Sequence, residues 1–124
     1  MYKYKKTVLM NLYLAKLVFN INIENEKTTS QFDEQIRLIE ALDMEGAFFK
    51  AKMIGKQDED SFINDKSEKV NWTFIDVSEL YALKDIKDGE QLYAHTHETE
   101  KPDSFIEFTR KKSLLIQTNF LTFA

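Results

Sequence analysis

The sequence contains no cysteine. That removes disulfides, thiol nucleophiles and zinc–thiolate sites from consideration. Proline occurs once and glycine three times in 124 residues. Long irregular loops and a glycine-rich phosphate cradle are therefore not expected. No apolar run is long enough to span a membrane. Positive charge is in deficit, with 17 Lys and Arg against 21 Asp and Glu and a net charge of −4. Generic attraction to nucleic-acid phosphate is thus disfavoured. No serine lies in a Gly-x-Ser-x-Gly setting, and no other nucleophile is evident.

The remaining composition is that of a folded chain. Hydrophobic residues make up 43% and charged residues 31%, enough apolar surface for a core at the length of one ordinary domain. Ten Phe, five Tyr and one Trp supply large buried areas. Charge is uneven along the chain. Lys3, Lys5 and Lys6 precede the first acid, so leaving out residues 1–9 moves the net charge from −4 to −7. The expected organisation is a flexible basic extension over residues 1–9 and a single α+β domain over 10–124. Three lysines before the apolar run of residues 7–15 resemble the start of a signal peptide. Asn11, Tyr13 and Lys16 break that resemblance, and the same run continues as a strand pattern. A secretion signal is not expected, Met10 is an alternative start, and the expected location is cytoplasmic.

Residues 11–23 alternate, with Tyr13, Ala15, Leu17, Phe19, Ile21 and Ile23 on one face, which predicts a long strand. Ser30 resembles a helix cap, and Phe32, Ile36 and Ile39 fall at i, i+4 and i+7. Asp43 resembles a second cap, with Glu45 in the following turn. Met44, Ala47, Phe48, Ala51 and Ile54 then repeat at helical spacing up to Gly55, a candidate stop. Residues 30–55 thus predict two helices meeting near Asp43, or one kinked helix. Residues 61–64 and 69–77 predict a hairpin, and Asp88-Gly89 a turn. Residues 91–98 alternate again and predict a fourth strand, which Pro102 breaks. Ser104 and Glu107 suggest a capping box for a last helix over about residues 104–116. The expected fold is α+β: a mostly antiparallel four-stranded sheet with helices packed on one face, in the order β-α-α-β-β-β-α.

His95 and His97 would share one face of such a strand, where both imidazoles could grip one metal ion or help bind a small molecule. Two solvated histidines are the plainer reading. Asp76 and Glu79 flank Ser78 and lie near Tyr81, a carboxylate pair that frequent acids also produce by chance. Trp72 and Phe74 alternate onto one face and read as core, although such aromatics also form recognition surfaces. Arg110, Lys111 and Lys112 are placed to complement the dipole of the last helix. Asp58, Glu59, Asp60, Glu98 and Glu100, with Tyr93, are the candidate contacts for a partner, because an acidic domain suits a basic one.

Several segments together resemble a known family. They are residues 13–19 (Tyr-Leu-Ala-Lys-Leu-Val-Phe), the helix expected over 34–41, residues 47–55 (Ala-Phe-Phe-Lys-Ala-Lys-Met-Ile-Gly), residues 70–74 (Val-Asn-Trp-Thr-Phe) and residues 88–93 (Asp-Gly-Glu-Gln-Leu-Tyr). Over about residues 10–97 the chain resembles the bacterial domain of unknown function 4288. The resemblance implies a small intracellular bacterial domain and carries over no catalytic residues. The resulting expectation is a non-enzymatic protein-binding domain without a cofactor, in its specific form an immunity protein that neutralises a basic toxin. The alternative is a small-molecule or metal-binding module at His95 and His97. Nucleic-acid and membrane partners are not expected, and an unpaired sheet edge would allow a homodimer.

Overall fold

The computed structural model describes residues 10–25 and 30–122. The basic segment expected to be a flexible extension, residues 1–9, lies outside them. The chain divides into two compact units, one ending at Tyr93 and the other starting at Ala94.

The first unit is a four-stranded antiparallel sheet with one helix. Strand β1 (Asn11–Ile23) is followed by β2 (Gln31–Ala41), helix α1 (Met44–Gln57), β3 (Asp60–Ile63) and β4 (Lys69–Leu83). The spatial order is β2-β1-β4-β3, and every neighbouring pair is antiparallel. β1 and β4 are central, and the edges are β2 and β3. The α+β class and the four-stranded antiparallel sheet are as expected. The order of elements is not, because residues 31–41 are a strand and residues 90–99 form none.

The first correction has a clear physical basis. Residues 31–41 contain good helix formers, and Phe32, Ile36 and Ile39 fit a helical stripe. They fit an alternating strand equally well. β1 is 13 residues long and presents a full row of backbone groups toward β2, and pairing runs unbroken from Asn11–Ala41 to Ile21–Gln31. Pairing at long range overrides local propensity here. Residues 91–98 show the opposite case. Their side chains are exposed on both parities, so alternation there marks no buried face.

Alternation on β1 builds the core. Tyr13, Ala15, Leu17 and Phe19 are buried on one face together with Ile39, Ala41 and Phe74. β4 stays in phase with this face only through two irregularities. Val18 pairs Asp76 while Phe19 pairs Phe74, and Lys16 pairs Glu79 while Leu17 pairs Val77. Ile75 and Ser78 are the extra residues. Without them the alternation starting at Phe74 would turn Asp76 and Ser78 toward the core.

Helix α1 covers this face, packing on β1, β2 and β4. Asp43 caps it as expected, its Oδ1 accepting the Gly46 N–H at 2.7 Å. The buried stripe is Ala47, Ala51 and Gly55, small residues at i, i+4 and i+8 that let the helix lie close to the sheet. Gly55 does not end the helix. α1 continues to Gln57 with Asp58 as its C-cap, and Gly55 instead makes room for the Phe74 ring.

The second unit holds helix α2 (Pro102–Thr122). Proline at the first helical position supplies the start, its missing N–H being one that a helix leaves unpaired. Ser104 consequently lies inside the first turn. The helix runs well past residue 116, so Arg110, Lys111 and Lys112 are mid-helix, and no basic residue lies in its last turn. Lys111 pairs Glu107 at 3.4 Å and Lys112 lies 4.6 Å from the Phe108 ring centroid. The dipole role expected for this triplet is replaced by side-chain pairing along the helix. Neither described helix is long and apolar enough to cross a membrane.

Candidate functional site

Helix α1 ends before the sheet does. Beyond Gln57 the helix-side face continues as Phe19, Trp72 and Phe62, which form the apolar floor of an open groove of about 330 Å³. Gln35, Arg37, Asp58 and Asp60 complete its walls. The Phe19 ring is tilted against Trp72 at 6.1 Å and against Phe74 at 5.6 Å, so the floor is anchored in the core. A second hollow of about 610 Å³ adjoins the β3–β4 hairpin and includes Glu59, Asn71 and Thr73. Trp72 and Asp60 line both. They are also directly paired across the two strands.

Trp72 therefore has two roles. It is half-buried and packs against the core cluster, as its alternation with Phe74 implies. Its remaining surface forms the boundary of both hollows.

The polar wall is ordered by a relay. Arg37 donates to Asp58 Oδ2 at 2.5 Å and to Gln35 Oε1 at 2.7 Å, and Gln35 in turn donates to Asp33 at 2.6 Å. Gln35 and Arg37 were not expected to lie here, because they were assigned to a helix. Read as a strand, the polar residues at 33, 35 and 37 fall on one face, and that alternation is the signal in the sequence.

The three acids at 58–60 have different environments. Asp58 is neutralised by Arg37. Glu59 accepts the Phe74 N–H at 2.9 Å and lies 3.6 Å from Lys56. Asp60 accepts the Ser61 N–H at 2.8 Å, and among the described residues no cation pairs with it.

Tyr93 does not join them. Tyr93 belongs to a cluster on the opposite face of the sheet. Lys16 lies there between Glu34 at 2.9 Å and Glu79 at 3.1 Å, with only 18% of its side chain exposed. Tyr81 donates to Glu79, and Tyr93 meets Tyr81 edge-on at 5.7 Å. Hydrogen bonding to Glu34, then to Glu79, raises the Lys16 pKa well above its ordinary value. The bond to Glu79 also raises that of Tyr81. Glu79 is thus engaged with Lys16 and Tyr81, whereas Asp76 lies 3.6 Å from Lys52. The two carboxylates serve different cations.

His95, His97, Glu98 and Glu100 lie in the second unit, in a segment without regular structure. The two imidazoles are stacked at 5.6 Å with planes 25° apart, and His97 meets Phe105 edge-on at 4.9 Å. Among the described residues no group of three His, Asp or Glu gathers to hold a metal.

Residues 12–94 match the family described as a domain of unknown function, DUF4288. No curated protein and no solved structure matches the chain. The family segment contains the sheet apart from Asn11, α1 and both hollows.

Proposed function

This chain belongs to the DUF4288 family, and from that premise we propose that it is a non-enzymatic protein-binding domain that receives a Lys or Arg side chain of a partner against Trp72 and Asp60. The observation that carries this reading is the Asp60–Trp72 pair. A carboxylate that no cation among the described residues pairs with faces solvent directly across from the only Trp in the chain. An ammonium or guanidinium group placed there gains an ion pair from one residue and a ring face from the other. The apolar floor of Phe19 and Phe62 accommodates the aliphatic stem of such a side chain. The net charge of −4 favours encounter with a basic partner.

The single tryptophan makes the test direct. Its fluorescence is titrated with unstructured Lys- and Arg-bearing peptides and with matched peptides carrying Gln in their place. A saturable change with the basic peptides, shifted to higher peptide concentration in Asp60→Asn, is expected. Equal responses to both peptide sets, or an unaltered response in the variant, would overturn the reading.

The finer form of the proposal is an immunity protein that neutralises a basic toxin. Its test is co-expression with a toxin-like gene adjacent to the native one. Protection is expected, and Asp60→Lys should abolish it. Absence of protection removes the immunity role and leaves the peptide titration to decide the binding role.

A further inference from the structure

Strand β2 is an edge strand of 11 residues. Its pairing with β1 has no irregularity, and it contains neither lysine nor proline. The other edge, β3, is four residues long. Natural sheets protect long edges with bulges, prolines, lysines or covering segments, because an open row of N–H and C=O groups templates another strand. β2 has none of the first three devices. Phe32 and Leu38 are about 60% exposed on it, and Ile36 nearly half. All three lie on the face away from α1, since β2 alternates and Ile39 and Ala41 are buried under the helix.

The charges on β2 discriminate between registers. When two copies of the strand pair antiparallel about a two-fold axis normal to the sheet, each residue faces one of the same parity. Centring on Glu34 places that acid against its own copy. Centring on Ile36 sets Glu34 against Leu38 and Glu40 against Phe32. A centre at Arg37 opposes two arginines and also Glu34 with Glu40. Centring on Gln35 sets Asp33 opposite Arg37 and Phe32 opposite Leu38, twice each by symmetry. Among these four registers, this is the one that pairs opposite charges; on the other face it pairs Phe32 with Leu38 and sets Glu34, which is already bonded to Lys16 at 2.9 Å, opposite Ile36.

We propose that the chain forms a homodimer through β2, with Gln35 on the two-fold axis, joining two four-stranded sheets into one continuous eight-stranded sheet. The occupant of the edge is a second copy because the complementarity is internal to β2. Asp33 and Arg37 are two residues either side of the centre, and Phe32 and Leu38 three, as an isologous contact requires. Arg37 bonds Gln35 and Asp58 through Nε and Nη2, so its contact with Asp33 of the second copy falls to Nη1, and the inference does not depend on the peptide-binding reading.

The test is sedimentation equilibrium of the full chain. The wild type is expected at twice the monomer mass. Phe32→Glu places a carboxylate against Leu38 at two symmetric points and should weaken the dimer roughly tenfold or more. Phe32→Glu combined with Leu38→Lys restores opposite charges in this register and should recover most of the loss. Both side chains are exposed, and circular dichroism checks that each variant keeps the fold. The absence of cysteine allows a second measurement: Gln35→Cys should give a disulfide-linked dimer with diamide, and Ser61→Cys on the β3 edge should not. A monomeric wild type, a dimer indifferent to Phe32→Glu, or no recovery in the double variant would overturn the proposal.

Discussion

A Cβ added to Gly55 would lie 2.3 Å from Cε1 of Phe74 and 2.4 Å from its Cδ1. Gly55 and Phe74 are both buried, and the ring also packs against Phe19 at 5.6 Å. The helix can therefore rest on β4 only because residue 55 has no side chain. Gly55→Ala should destabilise the first unit by about 1–3 kcal/mol, the usual range for overpacking. The gain in helix propensity, up to about 1 kcal/mol, offsets part of this. Urea denaturation followed by Trp72 fluorescence measures the difference. An unchanged or raised midpoint would mean that the ring moves aside without strain.

The Asp43 cap is a more local contact. Its Oδ1 accepts from Gly46, and its carbonyl accepts the Ala47 N–H at 3.0 Å. Asp43→Ala should reduce stability by about 1 kcal/mol, and Asp43→Asn by less, since an amide oxygen can still accept. Equal losses in the two variants would show that charge near the helix terminus, rather than the hydrogen bond, carries the effect.

Asp43 and Gly55 also mark what could be read from the sequence. Asp43, the apolar face of β1, the β3–β4 hairpin and the helical stripe at 47, 51 and 54 are local patterns, and the structure contains each of them. β2 was hidden because its helix-like spacing is local while its reason for being a strand, the open side of β1, lies more than ten residues away. The groove was hidden for the same cause. Arg37 and Gln35 reach Asp58 only when residues 31–41 are extended and run beside β1. The acids at 58–60 were legible as a group, but their differences depend on tertiary neighbours. Arg37 meets one, Lys56 and the Phe74 N–H meet another, and Asp60 alone among the three stays without a cation in the described structure.

The Lys16 cluster makes stability depend on alkaline pH. Lys16 binds its proton more tightly in the folded chain than its ordinary value of 10.5, chiefly through Glu34 and Glu79. Tyr81 likewise holds its proton above 10.0, chiefly through Glu79. Both groups have raised folded values, so their contribution is fully present below about pH 10. It is lost as pH rises further, because the unfolded chain releases these protons first. Urea midpoints measured between pH 8 and roughly 11.5 should fall more steeply for the wild type than for Lys16→Met/Tyr81→Phe. Parallel curves would indicate that solvent screens the cluster too strongly for it to matter.

Asp58 and Asp60 provide the sharpest contrast within the binding proposal. They are two residues apart and line the same groove, so a simple acidic patch would weight them alike. Asp58 is already bonded to Arg37 at 2.5 Å, and an incoming cation would have to compete with that guanidinium. Asp60 has no cation among the described residues, and it lies opposite Trp72. Asp60→Asn should weaken binding of a basic peptide by roughly twofold to fivefold, the range of a partly exposed ion pair, since the Trp72 ring contact is retained. Asp58→Asn should change affinity little, or strengthen it at low salt if the freed Arg37 swings out of the groove. Raising ionic strength should reduce the wild-type affinity and narrow the gap to Asp60→Asn, because the charged part of the contact is screened while the ring contact is not. Isothermal titration at two salt concentrations gives all four comparisons. Equal losses from Asp58→Asn and Asp60→Asn would assign the attraction to overall charge and remove the special role of the Asp60–Trp72 pair.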